Sequence, residues 1–244
     1  MNAQEVIVQT KDWSFHGHTI HLELWPGRVF VPTTTSELIA DQISVRPGET
    51  VIDLGCGSGF FAVLAAKMGA KRVFALDLHK EACDLTRRNA ALNGVADRVD
   101  CRQGDLFSSL NGLAADMIIN DVSGVADALA RCSGWFPDPV PTGGPDGAEP
   151  TVRMFQSVRN HLAPKGRLIF PVISLANEQR ILDASHRAFT DIRLVCEKRL
   201  PLPPSINPEI APLQKMVSDG IVRLIKKGSR WLWMLRIYEA RNAG

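Results

Sequence analysis

The stretch 51–60, VIDLGCGSGF, sets three glycines at alternate positions directly after an apolar run. Glycine reaches positive φ without strain and lets another molecule approach the main chain. A strand–Gly-x-Gly-x-Gly–helix unit is therefore a cradle for a ligand. The spacing of Gly55, Gly57 and Gly59 differs from the Gly-x-Gly-x-x-Gly that seats a pyrophosphate, which argues against a nicotinamide dinucleotide. Asp53 stands two residues ahead of the first glycine, and a second acid, Asp77, closes the next apolar run, where a carboxylate can accept ribose hydroxyls. A third acid, Asp105, follows the run after that. Further on, MIINDVSG (117–124) brings an apolar strand to its end in Asn120 and Asp121. An amide oxygen and a main-chain carbonyl at that place can accept the N–H bonds of a nitrogen nucleophile and polarise it. The carboxylate of Asp121 can take a proton from an amine or hydroxyl, or balance a cation, and otherwise caps the turn.

These residues need a scaffold, and the apolar periodicity supplies one. Strands are expected at 50–55, 72–78, 98–105, 115–121, 166–174, 191–199 and 230–240, with helices at 58–69, 80–94, 151–162 and 175–189 between them. Such alternation implies an α/β fold with a seven-stranded, doubly wound, mostly parallel sheet, Rossmann-like, and every acid named above then falls at a carboxyl end of a strand. Ahead of it, EVIVQ (5–9) and TIHLELW (19–25) alternate as short strands of a hairpin, and a helix starts near Ser36 or a neighbouring Thr. Residues 1–46 form an N-terminal lid segment and 47–244 the ligand-binding domain on this reading. Two stretches break the rhythm. Residues 133–150 are rich in Pro and Gly, and 201–229 open on PLPPSINPEIAP. Both read as loop insertions without regular structure.

Residues 51–105 together resemble the class I S-adenosylmethionine-dependent methyltransferases. The resemblance implies that Gly55, Gly57 and Gly59 pass under the methionine and ribose of S-adenosyl-L-methionine and that Asp53 belongs to the same site. It also implies that Asp77, with Leu78, takes the ribose hydroxyls, and that Asp105, with Leu106, lies near the adenine amine. It makes the last strand antiparallel. Over about 28–200 the chain is similar to the release-factor glutamine methyltransferases, through VFVPTTTSELIADQI (29–43), RRNAALNGV (87–95) and GGPDG (143–147). That family carries Asn-Pro-Pro-Tyr where this chain has Asn120, Asp121, Val122 and Ser123, so its glutamine substrate does not transfer directly. The implied activity is methyl transfer by Asn120 and Asp121 to a nitrogen acceptor on a small molecule or peptide. A glutamine amide of a release factor or ribosomal protein, a hydroxyl acceptor and a non-catalytic binding module stand as alternatives. Val31, Pro32, Thr33, His16, Ser123 and Trp135 are the candidates for the acceptor side, with Trp13 and Phe136 beside them, whereas Trp231 and Trp233 read as core or interface.

Composition sets the remaining bounds. The chain has 244 residues and a formal charge of +2, so no general field favours nucleic acid, although Arg223, Lys226, Lys227 and Arg230 form a local basic run. Five cysteines occur at wide spacing without a Cys-x-x-Cys, which points to a reducing, cytoplasmic setting without structural zinc. His16, His18 and His21 lack a partner set and read as strand surface rather than metal ligands. No apolar run reaches membrane-spanning length, so no membrane partner is expected. Nothing in the sequence specifies an oligomer.

Overall fold

The structure is a computed structural model and describes residues 7–136, 138 and 140–242. The chain begins with an antiparallel hairpin, β1 (Gln9–Phe15) and β2 (His18–Leu24), turned by His16 and Gly17, both at positive φ. The sequence places the first of these strands at 5–9. Residues 5 and 6 lie outside the described residues, and pairing starts only at Gln9. The hairpin leads to α1 (Thr34–Ala40), whose cap is Thr33, one of the threonines beside Ser36. Its hydroxyl accepts from the Thr35 amide, while Ser36 Oγ accepts from the Thr33 amide.

The central sheet is built from β3 (Thr50–Leu54), β4 (Arg72–Asp77), β5 (Val99–Gln103), β6 (Ala115–Asn120), β7 (Leu162–Ile173), β8 (Asp191–Pro201), β9 (Ile225–Lys227) and β10 (Arg230–Arg241). The order is β5-β4-β3-β6-β7-β10-β8, with β9 paired to the start of β10. Strands β3 to β7 are parallel. Strand β10 enters between β7 and β8 and runs antiparallel to both, as expected of the last strand. The sheet thus has eight strands where seven are expected, because β9 is three residues long and its Ile-Lys-Lys carries no alternation.

Helices α2 (Phe60–Lys67), α3 (Lys80–Leu92), α4 (Asp127–Ser133), α5 (Glu149–Ser157), α6 (Glu178–Ala188) and α7 (Ala211–Ser218) complete the chain. Helix α2 is apolar on every side because it is covered on every side. Its first seven residues are buried against the sheet, α3 and the hairpin. The hairpin docks onto α3 through two asparagines one turn apart. Asn89 pairs both amide atoms with the backbone of Glu23, and Asn93 does the same with His21, so two side chains replace a missing neighbouring strand. Under the sheet, Arg167 on β7 forms two hydrogen bonds to Glu49, at 2.8 and 2.7 Å, with both side chains 11% exposed.

Of the two stretches read as loops, 133–150 has no helix or strand among its described residues between its two ends, whereas 201–229 contains regular elements. Helix α4 ends at Ser133, α5 starts at Glu149, and α7 and β9 lie within 201–229. Both segments are fastened together: Ser205 Oγ donates to the Ser133 carbonyl, and Leu213 and Met216 of α7 are buried.

Candidate active site

Strand β3 ends at the place where the sheet order reverses direction, between β4 and β6, which is where open α/β sheets leave a crevice. Gly55, Gly57 and Gly59 follow with φ of +75°, +51° and +80°. The turn is held from below, since the amides of Gly55 and Cys56 both donate to the Leu76 carbonyl at 2.8 and 3.0 Å. Only glycine fits at 55. A Cβ there would lie 3.2 Å from Val122 Cα and 3.3 Å from the Asp121 carbonyl oxygen. The glycine turn and the turn after β6 are thus pressed against each other.

Asp77 closes β4 and is fixed by two main-chain donors. The Gly57 amide donates to Oδ2 at 3.0 Å, and the His79 amide to Oδ1 at 2.9 Å. Burial raises its pKa while these two amides pull it down. Asp121 lies on the other side of the turn and accepts from Ser36 Oγ at 2.9 Å, which ties α1 to the end of β6. Burial pushes its carboxyl up to about 7 despite the Ser36 hydroxyl. Asp53 lies beneath both and is fully buried. Burial, with the charges of Asp121 and Asp77, pushes it up to about 8, and the Ala62 amide offsets this only in part. Neither of its oxygens has a hydrogen bond within 3.5 Å. Three carboxylates therefore surround one glycine turn. That arrangement disfavours their charge in isolation and suits a ligand carrying positive charge.

A cavity of about 720 Å³ opens over the carboxyl ends of the strands. Asp77, Leu78, Gly104, Asp105 and Leu106 line it at the β4–β5 side. Leu78 is half exposed, and Leu106 holds the left-handed conformation (φ +51°), a strained state for a leucine that is retained only where its surroundings enforce it. Asp105 is paired with Arg153 of α5. Gly55, Gly57, Thr33, Asp121 and Ser123 line the centre, and Trp135 and Trp233 the far side, ring centroids 6.2 Å apart. Ser123 is held by the Pro141 carbonyl at 2.6 Å.

The candidates divide accordingly. Gly55, Gly57, Asp77, Leu78, Asp105, Leu106, Asp121, Thr33, Ser123 and Trp135 meet at the cavity. Gly59 packs against Thr86 as the cap of α2, and Val31, Pro32 and Asp53 stand behind the lining. Asn120 is also behind it. It is fully buried, and neither its amide nitrogen nor its oxygen has a partner. Val122 and Ser123 continue beyond Asp121, so the wall is Asp121 and not the preceding residue. His16 is a correction: its ring bonds the Ala40 carbonyl at 2.9 Å in the hairpin turn, because the hairpin docks on α2 and α3 rather than over the cavity. Trp13 is core, packed edge-on against Phe60 with Nε1 donating to Glu37. Trp233 is buried in the core as expected and also reaches the cavity wall. Ser36, expected only as a possible helix cap, joins the site through its hydrogen bond to Asp121. The GGPDG stretch is a packing device: Gly147 leaves no room for a Cβ against Ala176, and Asp146 binds Arg180 of α6.

The strand order, the glycine turn and an acid anchored at the end of the second parallel strand define the S-adenosylmethionine-dependent methyltransferase fold. The sequence pattern of the ribosomal protein L11 methyltransferase (PrmA) family matches residues 5–132, just over half of the chain. The chain belongs to that family. This is a different branch from the release-factor one suggested by the flanking motifs. Among curated relatives, the L11 methyltransferase of Shouchella clausii is 37% identical over 127 residues, and that of Pelotomaculum thermopropionicum 45% over 113. These alignments cover 50% and 45% of this chain but 40% and 36% of the relatives, so the chain spans well under half of their length. The crystal structure of an L11 methylase from Lactobacillus delbrueckii subsp. bulgaricus superposes with a TM-score of 0.54 at 22% identity, over 87% of this chain and 82% of that one. TYW2 of M. jannaschii in complex with AdoMet gives 0.52 at 13%, over 99% and 90%. At these identities the structural likeness concerns the fold alone.

Proposed function

We propose that the protein transfers a methyl group from S-adenosyl-L-methionine to a nitrogen of a protein or peptide acceptor. The observation that carries the cofactor is Asp77. Two backbone amides fix its carboxylate at the cavity wall beside an open glycine turn, and its remaining lone pairs suit a pair of ribose hydroxyls. The exposed Leu78 and strained Leu106 offer apolar faces for a base, with Asp105 beside them for its amine. When bound, the cofactor supplies an electrophilic methyl on a positively charged sulfur. The acids around the turn favour that charge to the extent that they are ionised.

The acceptor chemistry rests on Asp121. An amine is protonated at neutral pH and must lose that proton before its lone pair can attack. A carboxyl held at about 7 on the cavity wall takes a proton near the pH at which the protein works and stabilises the cation that forms. Asn120 stands one residue behind with its amide unused, positioned to support the same turn. The relatives' names give a ribosomal protein as their substrate. The family match stops at residue 132, so Trp135, Pro201 and Trp233, which shape the far side of the cavity, come from beyond it. Donor binding is the inherited part of the proposal, and acceptor choice belongs to this chain's own second half.

Calorimetric titration with S-adenosylhomocysteine tests the donor half. Wild type binds, and Asp77→Ala weakens binding tenfold or more. No heat from wild type would sink the proposal. Incubation with labelled cofactor and purified ribosomal protein L11 or a release factor, side by side, then reads the acceptor.

A further inference from the structure

Three of the five cysteines, far apart in sequence, converge behind the glycine turn. Cys56 sits between Gly55 and Gly57, Cys101 lies on β5, and Cys83 lies on α3. Their exposures are 3%, 7% and 0%. The sulfurs of Cys56 and Cys101 are 3.9 Å apart with nothing covalent between them. Cys83 packs against both and reaches the Asp77 carbonyl at 3.9 Å. The cluster thus touches the backbone of the two elements that hold the cofactor in the reading above. We propose that Cys56 and Cys101 are a reversible disulfide site that withdraws the glycine turn from the cofactor when a small hydroperoxide oxidises the pair.

The chemistry balances without a metal. One cysteine loses its proton, attacks the O–O bond of the peroxide as the thiolate and becomes a sulfenic acid, and the leaving oxygen takes up that proton and departs as an alcohol or water. The second thiol displaces the sulfenic oxygen as water and forms the S–S bond. Two thiol hydrogens and two electrons pass to the oxidant in all. A dithiol reductant reverses the step by exchange.

The geometry converts that bond into a loss of binding. An S–S bond is about 2.05 Å long, so the sulfurs must close by nearly 2 Å. Cys101 is fixed in a paired parallel strand, with Arg87 bonded to its carbonyl. Cys56 lies in a turn flanked by two glycines, which absorbs backbone rotation more readily. The movement therefore falls on the turn. It disturbs the Gly57 amide that holds Asp77 Oδ2, the Gly59 amide bonded to the Cys56 carbonyl at 2.7 Å, and the Thr86 hydroxyl on Cys56 Sγ.

This consequence rests on the cofactor reading, so the experiment separates the two. The full chain with Cys132→Ala, which removes the exposed thiol, is titrated with S-adenosylhomocysteine before hydrogen peroxide treatment, after it, and after dithiothreitol. Non-reducing peptide mapping runs in parallel. The expected result is a loss of affinity of tenfold or more, a linked 56–101 peptide, and recovery of both on reduction. The further variant Cys101→Ser keeps its affinity through peroxide treatment. Full affinity in the presence of the linked peptide overturns the switch, as does equal sensitivity of Cys101→Ser. Absence of the linked peptide overturns the disulfide itself. Failure of the reduced protein to bind at all defeats the cofactor reading, and the peptide map still decides the disulfide.

Discussion

Replacing Asp53 by Asn should make the protein more resistant to unfolding as pH rises. The folded protein holds the Asp53 carboxyl at about 8, because burial and the charges of Asp121 and Asp77 oppose its ionisation. The unfolded chain releases that proton near 3.8. Between these values the folded state binds a proton that the unfolded state does not, so stability falls as pH rises. No penalty exists below about pH 4, it grows through pH 8, and it is constant above. At about 1.4 kcal/mol for each pH unit, the cost accumulated by pH 7 is about 4 kcal/mol, shared with the neighbouring carboxylates. Asn cannot ionise and escapes it. Urea unfolding of wild type and Asp53→Asn at half-unit steps from pH 4 to pH 9 measures the difference directly. The two stabilities should diverge steadily up to pH 8 in favour of the variant, whatever their offset at pH 4. A difference that stays flat, or that shrinks with pH, would refute the burial of an unpaired carboxyl beneath the glycine turn. S-adenosylhomocysteine is not needed for this measurement, so it stands apart from the functional proposal.

Asp121→Asn should lower kcat/KM by about 10²- to 10⁴-fold and remove the limb of the pH–rate profile that rises near 7. Ser36→Ala should keep that limb and move it to higher pH, since the Ser36 hydroxyl pulls the Asp121 value down. A limb that stays in place would show that another group titrates. Gly55→Ala forces a Cβ onto the Asp121–Val122 backbone at positive φ and should cost about 1–3 kcal/mol in urea unfolding together with most of the binding heat. Arg167→Ala leaves the half-buried Glu49 with only the Arg46 amide of its three donors and should destabilise by about 1–3 kcal/mol without altering affinity per folded molecule.

The glycine turn and the acids beside it were legible in the sequence because their signals are local. The glycines, Asp77 and the alternation of strand and helix all lie within a few residues of the contacts they make. The far side of the cavity was less legible. Trp233 reads as core and is buried there, but an alternating strand does not say that the layer covering its face opens to a cavity. Asp53, Asn120 and Asp121 are close in type and position relative to their strands, yet one is sealed below, one sealed behind and one open to the cavity. Helices α4 and α7 were hidden by the proline and glycine around them, and each is under nine residues, too short for periodicity to declare itself. His16 was misplaced for a different reason: whether a hairpin covers a pocket or a helix pair depends on Asn89 and Asn93, which look like ordinary helix surface.

Strand β10 enters the sheet between two strands that precede it in the chain. Until β10 has been made, β7 and β8 each present an unpaired edge, and 28 residues that include α7 and β9 lie between the end of β8 and its start. A ribosome adding residues in order therefore leaves the outer edge of β7 and both edges of β8 unpaired for the time needed to synthesise that stretch. The far wall of the cavity, with Trp233 on β10 and Pro201 on β8, is completed in the same event. The segment beyond the family match thus governs when the nascent chain pairs the facing edges of β7 and β8 as well as when the far wall of the cavity closes.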